Sequence, residues 1–181
     1  MTGASGAIYA LRLLEFLCTS EEFFVHLVIS RYGRMVLKEE LGSGSLHLPR
    51  EKVREYKNDD VGAAIASGSF PVESMVVIPC SMGTLAAIAT GLSMNLIQRS
   101  ADVTLKQGRK LILVPRETPL NSIHLSNMLK LSRAGVMIVP AMPGFYNQPQ
   151  TIDDLVNFMV CRVLDLMGIE NTLAKRWKTD G

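Results

Sequence analysis

Three short runs constrain this chain more than any other feature. Met75-Val76-Val77-Ile78, Leu111-Ile112-Leu113-Val114 and Val136-Met137-Ile138-Val139 are each four apolar residues long, and a proline follows each one directly. A strand with one wet face alternates apolar and polar residues, whereas an unbroken apolar run is buried on both faces. Phe24-Val25-His26-Leu27-Val28-Ile29 reads the same way, with one histidine inside it. Between these runs lie segments of helical period: 8–17, 31–41, 85–89, 95–106, 122–134 and 151–167. Strands covered on both faces and separated by helices make a mainly parallel sheet in a three-layer α/β domain. At 181 residues the chain is expected to form one domain, 1–181. Residues 42–60 carry no clear period and are expected to be a surface connection with at most a short strand. Thr151 is the expected N-cap of the closing helix, with Asp153 and Asp154 in its first turn.

Composition excludes several functions. A net charge of +2, with scattered basic residues, does not suggest nucleic-acid binding, and no apolar run approaches a membrane span. Arg12 and Glu15 interrupt the only stretch that could serve as a signal-peptide core. Cys18, Cys80 and Cys161 have neither metal-ligand spacing nor even pairing, which suits a reducing cytoplasm. His47 and His124 have no partners at ligand spacing, so no metal site is expected; His26 reads as a core or edge histidine and Cys80 as a buried strand-end thiol.

In parallel sheets ligands gather at the carboxyl ends of strands. Here those ends are polar: Ser30, then Cys80-Ser81-Met82-Gly83-Thr84, Arg116-Glu117-Thr118 and Gly144-Phe145-Tyr146. Each serine alone is also ordinary cap chemistry. Arg116-Glu117 is either a surface ion pair or a forked guanidinium on a phosphate or flavin beside a proton-moving carboxylate. Arg99, Asp102 and Lys106 share one helical face, by default a solvated one. Arg162 falls by spacing within the apolar stripe of the last helix, paired with Asp165 or facing a buried anion. At the start, Thr2-Gly3-Ala4-Ser5-Gly6-Ala7 reads as a tight loop opening a helix, a cradle for an anion or plain cap chemistry. Such a loop normally follows a strand, and only Met1 precedes Thr2. Either that strand lies outside the 181 residues or the loop is assigned to the wrong place, and the position of Ser5 depends on which.

Taken together, Gly3-Ala4-Ser5-Gly6-Ala7, Ser67-Gly68-Ser69-Phe70, Pro79-Cys80-Ser81-Met82-Gly83-Thr84, the stretch 99–106, Pro115-Arg116-Glu117-Thr118-Pro119-Leu120 and Pro143-Gly144-Phe145-Tyr146 resemble the UbiX-type flavin prenyltransferases, long described as aromatic acid decarboxylases. The resemblance runs from residue 2 to about 177. It implies a Rossmann-like (flavodoxin-like) fold, a homododecamer, and transfer of a dimethylallyl group from dimethylallyl phosphate to N5 and C6 of reduced FMN without a metal. The prenylated FMN would serve a UbiD-type decarboxylase. It further implies that Gly3, Ala4, Ser5, Ser30, Ser81, Met82, Gly83, Thr84 and Arg116 hold FMN. Arg99, Lys106, Tyr146 and Arg162 would hold the donor, and Ser5, Glu117 and Lys106 would act in catalysis. The closing helix 151–167 and the tail 168–181 are expected to pack on a neighbouring subunit. No role is carried over to Glu39 or Glu40.

Two other readings compete. FMN-dependent cysteine decarboxylases of the phosphopantothenoylcysteine or peptidyl-cysteine kind share the fold, but they carry Pro-Ala-Ser-Ala-Asn-Thr where this chain has 79–84, and a histidine in the helix that here spans 31–41, which has none. A non-catalytic flavin-binding subunit of a decarboxylase complex is the other, and the retention of all four candidate phosphate ligands argues against it.

Overall fold

In the computed structural model, residues 1–177 are described. The elements run α1 (Ala7–Thr19), β1 (Val25–Val28), α2 (Arg31–Leu41), β2 (Val53–Tyr56), β3 (Ser74–Cys80), α3 (Met82–Ala89), α4 (Leu96–Lys106), β4 (Lys110–Pro115), α5 (Ser122–Arg133), β5 (Met137–Ile138) and α6 (Ile152–Met167). Every strand pairing is parallel, as the doubly apolar runs require. The ladder comes in two pieces, β2-β1 and β3-β4-β5.

Met1 and Thr2 stand between the two pieces. The Met1 amino group donates to Val28 O (2.8 Å), and Ser30 N donates to Met1 O (3.1 Å). On the other side Thr2 N donates to Pro79 O (3.1 Å). These two residues therefore occupy the place of a strand end, and the order across the molecule is β2-β1-(Met1-Thr2)-β3-β4-β5.

Alternate residues of the central strands feed opposite faces, as a period of two dictates. Ile78, Ile112 and Val114 join α1 and α6 in one core. Val77, Leu111 and Leu113 join α3, α4 and α5 in the other. The expected elements recur with small shifts. The strand expected to stop before Pro79 continues to Cys80, with a register shift between Val77 and Cys80 where proline has no N–H to offer. The last strand shortens to two residues. Residues 42–60 hold only β2, as the absence of period predicts. Thr151 caps α6 in a capping box with Asp154 (Asp154 N to Thr151 Oγ1, 3.2 Å).

Candidate active site

The carboxyl edge of the sheet sets out the polar residues in a row. Ser30 follows β1, Met1-Thr2 comes next, then Ser81 after β3 and Arg116 after β4. At about 4.8 Å per strand, Ser30 and Arg116 lie about 15 Å apart across this row. Its middle is tied together by one buried side chain: Thr2, 2% exposed, donates its hydroxyl to Pro79 O (2.9 Å) and accepts from Ser81 N (2.7 Å). α1 and α2 cover one face and α3 and α4 the other, so chain direction switches sides between Thr2 and Ser81, the crevice where ligands of doubly wound sheets bind.

The opening loop is tightly packed. A Cβ on Gly3 would stand 2.5 Å from Tyr32 Cβ, so no side chain fits there. Gly6 takes φ +108°, a left-handed conformation natural to glycine, as it starts α1. Ala4 is buried and Ser5 is exposed. The sequence reading of this loop as an anion cradle needs one correction. The anion at the start of α1 belongs to the protein itself: the Glu40 carboxylate accepts from Gly6 N (3.0 and 3.1 Å) and Ala7 N (2.7 Å). Free N–H groups and the helix dipole attract a carboxylate from α2 as readily as a phosphate. Glu40 was not read from the sequence, and a contact across 34 positions leaves no local signal.

Ser30 and Ser81 are both helix caps, accepting from Gly33 N (3.0 Å) and Thr84 N (3.3 Å). The Ser81 hydroxyl also donates to Thr84 Oγ1 (3.1 Å). These bonds orient the loop without filling it. Gly83 is exposed, with nothing within 4 Å of where a Cβ would be, while Met82 packs inward at 7% exposure. Arg116 is the most informative residue of the edge. Its Nε is buried and has no hydrogen-bond partner in the protein, a condition native structures rarely leave uncompensated. An anionic or acceptor-rich ligand above Ser81 and Arg116 supplies what that guanidinium lacks, so these residues fit a flavin mononucleotide. Glu117 is exposed and accepts from Thr118 N (3.0 Å); it makes no ion pair with Arg116.

The other candidate residues fall into two separate groups. Arg99 pairs with Asp102 on α4 (3.2 Å), the ordinary salt-bridged face. Lys106 is exposed, four residues before Lys110, which opens β4 opposite Ser74 at the amino end of the sheet. Arg116 is about 20 Å further along the strand direction, so one protomer does not bring Lys106 to its own Arg116. The remaining group surrounds α6. The Tyr146 ring meets Phe158 edge-on (5.6 Å between centroids) and Trp177 likewise (5.1 Å). One turn beyond Phe158, Arg162 donates to Asp165 (2.9 Å), which also binds Arg176 (2.7 Å). Arg162 is not a buried charge: its side chain is 53% exposed. The buried residues of α6 are Val156, Met159, Val160, Cys161, Val163 and Leu164, and at 100° per residue Arg162 lies about 140° from their centre.

Burial pushes the Cys80 thiol up to about 12, so it is no nucleophile at neutral pH. His26 shares a hydrogen bond with Tyr56 (3.0 Å), and His124 sits in the capping box of α5 with Asn121. Among the described residues no three His, Cys, Asp or Glu side chains gather as a metal site.

Comparison with known proteins places this geometry. The sequence profile of the Flavoprotein family matches residues 1–164. The flavin prenyltransferase UbiX of Methanocaldococcus jannaschii is 51% identical over 179 residues, 99% of this chain and 96% of the relative. A dodecameric FMN-dependent UbiX-like decarboxylase from Escherichia coli O157:H7 superposes with a TM-score of 0.90 at 45% identity, over 98% of this chain and all of that one. AnUbiX (PadA1), solved with FMN and dimethylallyl pyrophosphate, gives 0.89 at 40%, over 98% and 94%. The row of Thr2, Ser81 and Arg116 at the switch point thus sits in a chain that belongs to the Flavoprotein family and, within it, to the UbiX-type flavin prenyltransferases.

Proposed function

We propose that this protein joins a dimethylallyl group to reduced FMN, and the observation that carries the reading is the buried, unpartnered Arg116 Nε beside the Ser81 loop. Reduced FMN supplies an electron-rich N5 and C6 as acceptors. In the overall change the allylic C–O bond of the donor breaks and phosphate leaves with its electron pair; carbon bonds replace the protons on N5 and C6 of the flavin, and the middle carbon of the donor's former double bond gains one proton, so that one proton is released in all.

The chain's own residues orient, neutralise and carry protons. Gly3, Ala4, Ser5, Ser30, Ser81, Met82, Gly83, Thr84 and Arg116 hold the flavin; Gly83 allows close approach and Arg116 provides the planar fork. Phosphate departure requires fixed cations where negative charge develops. Arg99, Lys106, Tyr146 and Arg162 serve there, with dimethylallyl phosphate as donor. Because Lys106 lies at the amino edge, we assign it and Arg99 to the site of a neighbouring protomer, which also excludes water from the allylic cation. Such sharing needs an oligomer, and the dodecamer of the Escherichia coli relative supports one here. Exposed Met142, Phe145, Ile152 and Trp177 support α6 and the tail 168–181 as part of that contact; residues 178–181 lie outside the described residues. Ser5 and Glu117, exposed at the edge, carry these protons, taking those that leave N5 and C6 and returning one to the prenyl group.

The product goes to a UbiD-type decarboxylase. The free thiols of Cys18, Cys80 and Cys161 suit the cytoplasm, and no helix among the described residues is long and apolar enough to cross a membrane. The test is anaerobic: reduced FMN and dimethylallyl phosphate should release one inorganic phosphate per flavin consumed. Release that is independent of flavin would contradict the assignment.

A further inference from the structure

Arg162, Arg176 and Asn171 converge on one carboxylate near the end of α6. Asp165 Oδ1 accepts from Arg176 Nη2 (2.7 Å) and Asn171 Nδ2 (3.2 Å), and Oδ2 accepts from Arg176 Nη1 (3.1 Å) and Arg162 Nη1 (2.9 Å). An ionised carboxylate offers about four acceptor positions, and here all of them are used inside the protein. Burial alone would raise the Asp165 pKa, but the hydrogen bonds from Arg176 and Asn171 and the two guanidinium charges hold it below the ordinary carboxylate value. Its side chain is 18% exposed, against 53% for Arg162. An exposed ion pair one turn apart contributes little by itself, whereas a largely buried carboxylate gripped by a bidentate arginine has a fixed geometry.

The consequence falls on Arg162. Its guanidinium carries several N–H donors, and Asp165 takes one of those on Nη1. Arginine and a carboxylate otherwise favour a two-bonded fork. With Oδ1 filled by Arg176 and Asn171, Asp165 has no second position to offer, so that fork does not close. Nε and Nη2 of Arg162 are left without a partner among the described residues, on a side chain more than half exposed. The single bond still holds the long side chain in one place, one turn of α6 beyond Phe158 and its contact with Tyr146.

The geometry points to Asp165 as a positioning residue of the donor site: occupied by Arg176 and Asn171, it holds Arg162 by a single N–H and leaves the rest of the guanidinium open to the phosphate of the prenyl donor. Asp165 itself neither touches the donor nor moves a proton. The inference rests on the proposed reading of Arg162 as a donor ligand and adds the residues on which that ligand depends.

In the test, dimethylallyl phosphate is titrated by calorimetry into the full-length protein loaded with oxidised FMN, which is not a prenyl acceptor, so binding is read without turnover. Asp165→Asn should weaken binding at least ten-fold. Arg176→Gln, which frees the carboxylate to close on the Arg162 fork, should weaken it at least three-fold. FMN affinity should stay within two-fold in both. Repeating the two changes in an Arg162→Ala protein separates positioning from loosened structure: each should then cost no more than two-fold further, because the group they act through is gone. Loss of the same factor with and without Arg162, or no loss with Arg162 present, overturns the proposal. Should Asp165→Asn not fold, Arg176→Gln with and without Arg162 decides in the same way. An unaltered protein that binds no dimethylallyl phosphate refutes the donor-site reading and the positioning role with it; equal binding by the unaltered protein and Asp165→Asn refutes the positioning role alone.

Discussion

Replacing Thr2 by valine should loosen the join between the two halves of the sheet. The Thr2 hydroxyl donates to Pro79 O and accepts from Ser81 N, at 2.9 and 2.7 Å, on a residue that is 2% exposed. Valine keeps the shape and removes both bonds. Each is worth about 1 kcal/mol, and a stranded Ser81 N–H adds about 1 kcal/mol of desolvation, so the loss should be about 2–3 kcal/mol. With a urea dependence of about 2 kcal/mol per molar, the midpoint should fall by about 1–1.5 M. Thr2→Ser keeps the hydroxyl and gives up one methyl group, about 0.8 kcal/mol. Chemical denaturation followed by circular dichroism distinguishes the two, and an FMN titration should show weaker binding for valine than for serine. A valine variant as stable as the serine variant would refute the view that this hydroxyl couples the opening loop to Ser81.

Three more outcomes follow from the geometry. Arg116→Lys should weaken FMN binding at least ten-fold in a fluorescence titration, with the denaturation midpoint unchanged, because no protein group depends on its Nε. Lys106→Ala and Arg162→Ala should each abolish prenyl transfer while FMN stays bound; oligomers mixing Lys106→Ala with Arg116→Ala protomers should recover activity, since some sites then receive an intact residue from each.

Much of this was legible in the sequence because the informative signals are local. An unbroken apolar run ending at a proline reports burial on both faces without any knowledge of its neighbours, and the helix over residues 31–41 was bracketed by Ser30 and Gly42, the cap residues found there. What failed needed directions or distant partners. Arg162 looked buried because Met159 and Leu166 stand three and four positions away, yet spacing to two residues does not fix the centre of a helical face. Glu40 reaches the start of α1 across 34 positions. The separation of Lys106 from Arg116 was readable in principle: a helix that hands over to the next parallel strand ends at the amino edge. The strand-like place of Met1 and Thr2 became visible only when both neighbouring strands were in position.

The most direct measurement is the mass of the flavin itself. Protein, reduced FMN and dimethylallyl phosphate are incubated without oxygen, the protein is precipitated, and the released flavin is weighed by mass spectrometry. The expected product is a flavin heavier by one C5 unit, formed by the unaltered protein and not by Lys106→Ala. Unmodified FMN, together with decarboxylation of a phenolic acid by this protein alone, would contradict it.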